Sequence, residues 1–292
     1  MSSYSEELLD RQNQDGGWRY GTAGNSWTEP TCYALLALAS GEVYPHNSAM
    51  AEAMRRGAQW LVSRQRPDGG WAPRDGVDES TWVTALVLLL PSDLTAGLDM
   101  AHASRWLLEQ TGRESGWVYR LRLRLLGARL DPTQQFDGWP WYPETAAWVA
   151  PTALSLLALS RFNRSLGDAG VQKRIREGTS FLLARRCRDG GWNHGSTHSL
   201  GYDSDSYPET TGLALLALRG ASPSGLGSAL EVAERHLRET RSLEASSWLI
   251  LGLLAQGRSP SVGPAMPRQG TVALAVAALA EAALQGRNPF VS

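Results

Sequence analysis

The sequence predicts an all-α fold, a ring or short solenoid of paired helices, on three observations. Apolar residues make up 42% of the 292 positions, with Leu and Ala dominant, which favours a helical globule. A Gly-Gly-Trp turn behind an Asp recurs as Gly16-Gly17-Trp18, Gly69-Gly70-Trp71 and Gly190-Gly191-Trp192. The first two stand roughly 50 residues apart, a period that suits a helix pair with its loops. Each turn also lies between an amphipathic stretch and a nearly charge-free one, so a helix with a polar face precedes it and a helix buried on all sides follows it.

In chain order the predicted outer helices are 6–12, 50–65, 94–110 and 171–186, and the predicted inner helices are 31–39, 80–90, 146–159 and 210–218. Ser115-Gly116-Trp117, after Glu114, reads as a degenerate further copy of the turn and belongs to the third unit. A last pair, 226–238 and 243–256, keeps Trp248 without a Gly-Trp turn, and 271–284 closes the chain. Six apolar helices, each with a polar one outside, are the layout of a closed double ring or a short solenoid. No long linker interrupts the pattern, so 1–292 reads as one domain. An Arg-rich insertion at about 117–138 falls between the degenerate turn and its inner helix, and insertions on one face of a repeat protein serve binding.

Charge and cysteine content narrow the function. A formal charge of −1 lacks the basic excess of a nucleic-acid binder, so no nucleic-acid partner is expected. Cys32 and Cys187 are too few for a disulfide framework. The start, MSSYSEELLD, has no apolar core of a signal peptide, and 271–284 is too short to span a bilayer and carries Glu281. The expectation is a cytoplasmic protein, with peripheral membrane contact left open.

The stretch 189–218 joins a Gly-Gly-Trp turn, an acidic loop and an apolar helix without a break. Asp203, Asp205 and Glu209 precede that helix closely enough to raise one another's pKa, as a proton donor requires. Trp141-Tyr142-Pro143-Glu144-Thr145 echoes Ser206-Tyr207-Pro208-Glu209-Thr210, and Trp27-Thr28-Glu29-Pro30-Thr31 and Asp78-Glu79-Ser80-Thr81 are weaker echoes. A Glu at a helix start suits the positive end of the helix dipole, and that alone accounts for the pattern. Helices in a ring point alike, however, so four such Glu would gather around one mouth. Trp139, Trp141, Tyr142, Trp148, Tyr202 and Tyr207 lie near the predicted helix starts, where aromatic faces stabilise a cation or simply fill core. Arg120, Arg122, Arg124 and Arg129 offer guanidinium forks for a diphosphate, although their alternation with Leu equally describes a solvated face. His194 and His198 are metal-donor types in a loop whose spacing carries no ligand geometry, and no metal site is expected.

The run from Arg56 through Trp60-Leu61 and Gln65 to Gly69-Gly70-Trp71 resembles the QW repeat of squalene and oxidosqualene cyclases and of the wider prenyltransferase-like α/α toroids. Gln12 with Gly17-Trp18 repeats part of it. So do Trp106-Leu107 and Gln110 with Gly116-Trp117, and Gly178, Phe181-Leu182 and Gly191-Trp192, with Arg186 in place of the Gln. The resemblance covers about two-thirds of the chain and implies an (α/α)6 toroid, here a single one, whose inner helices surround a cavity. It also implies protonation-initiated cyclisation of a linear isoprenoid or prenyl diphosphate, by a terpene cyclase-like isomerase or lyase. The acid of that family is the middle Asp of an Asp-x-Asp-Asp motif at an inner-helix start. Asp203-Ser204-Asp205-Ser206 resembles the motif with Asp205 at the acid's place and Ser206 for the last Asp. Laying Glu209-Thr210-Thr211-Gly212 on the helix start puts Glu209 there instead, and both alternatives stay open. No cofactor is implied, and Mg2+ enters only with a diphosphate substrate. A second function, of another class, is a non-catalytic toroid that binds an isoprenoid, another lipid or a protein.

Overall fold

The computed structural model describes residues 3–41, 48–116, 121, 125–126, 136–166, 168–195, 197–199, 202–220, 225–261, 263 and 266–291. In chain order its helices are α1 (Ser3–Asp10), α2 (Thr28–Ala39), α3 (Ser48–Val62), α4 (Val83–Leu88), α5 (Met100–Glu109), α6 (Val149–Leu166), α7 (Ala169–Ala184), α8 (Pro208–Ala217), α9 (Gly227–Glu239), α10 (Leu243–Ala255) and α11 (Thr271–Leu284). A two-residue hairpin, β1 (His198–Ser199) with β2 (Tyr202–Asp203), lies between α7 and α8.

The charge-free runs form the inner layer because an apolar helix must be covered on every side. The helices α2, α4, α6, α8, α10 and α11 touch in that order, and α11 touches α2, which closes the ring. Outside it, α1 packs on α11 and α2, α3 on α2, α5 on α4, α7 on α6, and α9 on both α8 and α10. The predicted layout of six outer helices is corrected here: among the described residues no helix lies between α10 and α11. The second inner helix is also shorter than predicted, only Val83–Leu88, and the third runs on to Leu166. Helices α8 and α10 touch backbone to backbone, since a Cβ on Gly212 would stand 2.3 Å from the Trp248 carbonyl carbon and one on Gly252 2.3 Å from the Gly212 carbonyl oxygen.

The repeated turn carries one hydrogen-bond scheme. Each Trp ring is buried and donates Nε1–H to the outer helix before it: Trp18 to the Leu8 carbonyl at 2.7 Å, Trp71 to Leu61 at 2.9 Å and Trp192 to Leu182 at 2.7 Å. Its backbone N–H donates forward to a Thr of the inner helix, Thr31, Thr84 and Thr211 respectively. The turn Asp accepts from the second Gly N–H and from a Ser hydroxyl, pairing Asp15 with Ser26, Asp68 with Ser80 and Asp189 with Ser206. The first Gly of each turn has φ between 91° and 103°, a region that side chains disfavour.

In the third unit these bonds belong to Trp139, which corrects the assignment of that turn to Trp117. Trp139 donates Nε1–H to the Leu107 carbonyl at 2.8 Å and its N–H to Thr152 Oγ1 at 2.9 Å. The insertion therefore lies between α5 and the Gly138-Trp139 turn rather than between the turn and its inner helix. Trp117, Arg120, Arg122, Arg124 and Arg129 lie outside the described residues.

Ring closure uses a second repeated contact. The carbonyl two residues beyond each turn Trp accepts from the N-terminal backbone of the inner helix of the preceding unit. Pro73 accepts from Thr28 at 2.9 Å, Trp141 from Trp82 at 3.3 Å, His194 from Val149 at 2.9 Å, and Tyr20 from Thr271 at 2.7 Å. The last of these joins the final inner helix to the first unit, and Arg287 Nε joins the opposite ends of α11 and α2 through the Ser40 carbonyl at 3.1 Å.

Candidate active site at the mouth of the ring

The inner helices all begin at the same end of the ring, and their second residues decide its charge. Glu29, Glu209 and Glu244 hold that position in α2, α8 and α10. An aligned set of helix N-termini attracts carboxylates, so the helix-start reading of Glu29 and Glu209 accounts for where they are. It does not account for their mutual effect. Burial and the neighbouring Glu244 charge push the Glu29 carboxyl up to about 7, against the opposing pull of the Tyr20 hydroxyl. Glu244 is raised in turn by burial and by the charge of Glu209, while a hydrogen bond from Trp248 opposes the shift. A carboxyl held near 7 keeps a protonated fraction at neutral pH that an ordinary glutamate lacks.

Aromatic rings line this end. Tyr20 packs edge-on against Trp27 at 5.3 Å and donates its hydroxyl to Glu29 Oε2. Burial and the Glu29 charge push the Tyr20 phenol far above its ordinary value, so it stays a donor. Tyr33 and Trp248 meet edge to face at 5.8 Å inside the ring, with Phe290 beyond Trp248. Trp82 and Trp141 pack perpendicular at 4.7 Å, and His194 sits between Trp148 and Tyr207, 6.4 and 5.1 Å from their rings. Tyr20, Trp141 and His194 all stand two residues beyond a turn Trp, so the carbonyls that clasp the ring also place these rings on its rim.

The structure sorts the residues singled out in the sequence. Glu209, Trp141, Tyr142, Trp148 and Tyr207 belong to the mouth region. Trp139 does not: its ring is 1% exposed, bonded to α5 and covered by the Arg174 guanidinium at 3.9 Å. Glu144 does not start a helix, because it stands on an exposed turn ahead of α6, at φ 61°. Glu79 is likewise an exposed turn residue ahead of α4. Asp203 lies on β2 and pairs with Arg188 at 3.3 Å in solvent, Asp205 is exposed, and Tyr202 is 78% exposed on the same hairpin. Ser206, read as the replacement for a last Asp, is the buried turn serine, bonded to Asp189 at 2.6 Å and to His236 Nε2 at 2.8 Å. Ser206 is thus committed to its turn, while Asp203 and Asp205 ahead of it stand in solvent. Glu244 and Tyr20 were missed in the sequence. Glu244 follows no Gly-Trp turn, and only its place behind the Ser242 helix cap, whose Oγ accepts from Ala245 N–H at 3.2 Å, marked it as a helix start.

Among the described residues no three His, Cys, Asp or Glu side chains are grouped to hold a metal, and no helix is long and apolar enough to cross a membrane.

No protein-family profile matches the chain. Parts of it are related to known cyclases. A labda-7,13-dienyl diphosphate synthase of Streptomyces clavuligerus is 32% identical over 97 residues, which are 33% of this chain and 17% of that protein. The squalene–hopene cyclase of Alicyclobacillus acidocaldarius is 48% identical over 52 residues, 18% of this chain and 7% of that protein. The matched stretches are thus small parts of much longer proteins. Among solved structures, the type II terpene cyclase MstE of Scytonema superposes over 98% of this chain and 78% of its own, with a TM-score of 0.54 at 18% identity. A GH76 α-mannanase of Bacteroides thetaiotaomicron superposes over 97% and 94%, with a TM-score of 0.63 at 11% identity. The fold is the α/α toroid that both kinds of protein share, and at these identities the superpositions speak for fold alone.

Proposed function

Taking the chain as a single-toroid relative of the squalene–hopene and terpene diphosphate cyclases, we propose that it protonates a linear isoprenoid at the mouth of the ring and cyclises the resulting cation. The observation that carries this reading is Glu29, an inner-helix carboxyl held near 7 among carboxylates and aromatic rings. Glu29 is the acid. Its O–H bond breaks, the proton joins one carbon of a terminal alkene or the oxygen of an epoxide, and the next double bond supplies the electron pair that closes a ring. A carboxylate, Glu244 or the newly ionised Glu29, takes the proton lost at the end, so an alkene substrate is isomerised without a cofactor. Trp27, Trp82 and Trp141 on the rim present faces that stabilise the migrating charge. Glu244 serves twice, holding the Glu29 carboxyl up beforehand and countering the cation afterwards, and Glu209 adds its charge behind it. The insertion arginines, Arg120, Arg122 and Arg124, are the proposed partners of a diphosphate, and Mg2+ belongs only to that class of substrate.

The test is product analysis by mass spectrometry on a panel of linear isoprenoids, with and without diphosphate and Mg2+. Wild type is compared with Glu29→Gln, Glu209→Gln and Asp205→Asn. The expected result is a cyclic product that Glu29→Gln removes and Asp205→Asn leaves. Its rate falls tenfold per pH unit above about 7, as the acid is lost. An isoprenoid that raises the melting temperature but is never consumed would replace this reading with that of a binding toroid.

A further inference from the structure

We propose that Tyr20 is the positioning residue of Glu29, its hydroxyl holding Oε2 so that Oε1 carries the proton to the substrate, and that ring closure sets this aim. The inference rests on Glu29 being the acid of the proposed reaction. Its geometry comes from three contacts of one residue. The Tyr20 hydroxyl meets Glu29 Oε2, its ring lies edge-on to Trp27 at 5.3 Å, and its carbonyl accepts from Thr271 N–H at 2.7 Å. The first contact fixes the carboxyl, the second fixes the phenol ring and the third fixes the main chain beneath both. A phenol held on two sides delivers its hydroxyl at little further entropic cost. The equivalent carbonyls belong to Pro73, Trp141 and His194, none of which carries a hydroxyl to offer a carboxyl.

The other titratable groups around Glu29 leave this role to Tyr20. Helix α2 itself contributes Cys32 and Tyr33, both fully within the core. Helix α10 contributes Glu244, with Glu209 of α8 behind it, and the loop before α6 contributes Tyr142. Helix α11 brings no charged residue until Glu281, on its last turn. Arg74 holds its guanidinium over the Trp27 ring at 5.2 Å. Tyr20 is therefore the neutral donor on the carboxyl, and a donor to a carboxylate favours its ionised form.

Tyr20→Phe keeps the ring packing and the Thr271 bond and removes only the hydroxyl. Two readings are taken at each pH: product formation, and the Glu29 carboxyl band by infrared spectroscopy of 13C-glutamate protein, with Glu29→Gln as the blank. Both transitions are expected to move up by about half a unit to one unit, so that the variant keeps roughly three- to fivefold more of its own maximal rate one unit above the wild-type transition. A purely structural Tyr20 would lower the melting temperature and leave both transitions in place, and that result overturns the proposal. Should Tyr20→Phe fail to fold, a fluorotyrosine at position 20, a stronger donor, is expected to move the carboxyl transition down, and an unmoved transition again overturns it. A carboxyl transition that moves while no isoprenoid yields product upholds the contact with Glu29 and removes the reaction.

Discussion

At the corner of the mouth made by the first unit, Tyr20 reaches across to Glu29 with a hydrogen bond. At the corresponding corner of the fourth unit, His194 stands the same two residues beyond its Trp, and Glu209 the same place into its helix. There the His194 ring turns to Tyr207 and Trp148 instead. The main chain is alike in both, since each residue gives its carbonyl to a neighbouring inner helix. The packing partner is alike too, Trp27 in one case and Tyr207 in the other. What differs is the side chains the two corners present, a phenol bonded to the helix-start carboxyl in one and an imidazole packed between two aromatic rings in the other. A repeat that closes the ring through its backbone leaves the rim side chains free to diverge without loss of the frame.

The frame itself is the place to break both corners at once. Trp192→Ala removes a buried indole and orphans the Leu182 carbonyl, and is expected to cost about 3–5 kcal/mol in chemical denaturation. Gly212→Ala, which drives a Cβ into the Trp248 carbonyl, should cost about 3 kcal/mol and separate α8 from α10, loosening Glu209 from Glu244 while sparing Tyr20. Glu29→Gln sharpens the contrast in a pH-dependent way. The carboxyl binds its proton more tightly folded than unfolded, so wild-type stability is fully present below about 4.5 and declines as pH rises through about 7. The variant lacks that decline, and at pH 8 it should be roughly 1–3 kcal/mol more stable than wild type, with no gain at pH 4. Smallest of all, Asp205→Asn in the exposed loop should leave the melting temperature unchanged, whereas Ser206→Ala, next to it but locked to Asp189, should lower it by a few degrees.

Much of the frame was legible in the residues. The alternation of amphipathic and charge-free stretches found every inner helix, and the Gly-Gly-Trp turns found three of the four units. The turn of the third unit was misplaced because Trp117 and Trp139 each follow a single Gly, so the motif alone does not separate them. A better signal was present: the Trp-to-Thr spacing is 13 residues for Trp18, Trp71 and Trp139 alike. It stretches to 19 for Trp192, whose loop holds the small hairpin. That same loop carries Asp203 and Asp205, both exposed, ahead of the serine bonded to Asp189. The expectation that helix-start glutamates gather at one mouth did point to Glu29 and Glu209. It overreached at Glu144 and Glu79, where local composition repeats but the helix begins later, and it could not reach Glu244, whose proximity depends on ring closure.

Closure has a consequence for how the chain acquires its mouth. The surroundings of Glu29 combine residues 20–33 with Glu244, Thr271 and Phe290, so partners far apart in sequence must meet before the carboxyl is enclosed. Contacts of such long sequence separation form late and slowly. The Glu244 charge that helps raise Glu29 is made more than two hundred residues later, and the Thr271 contact beneath Tyr20 later still. The raised carboxyl is thus a property of the closed ring and not of the first unit by itself.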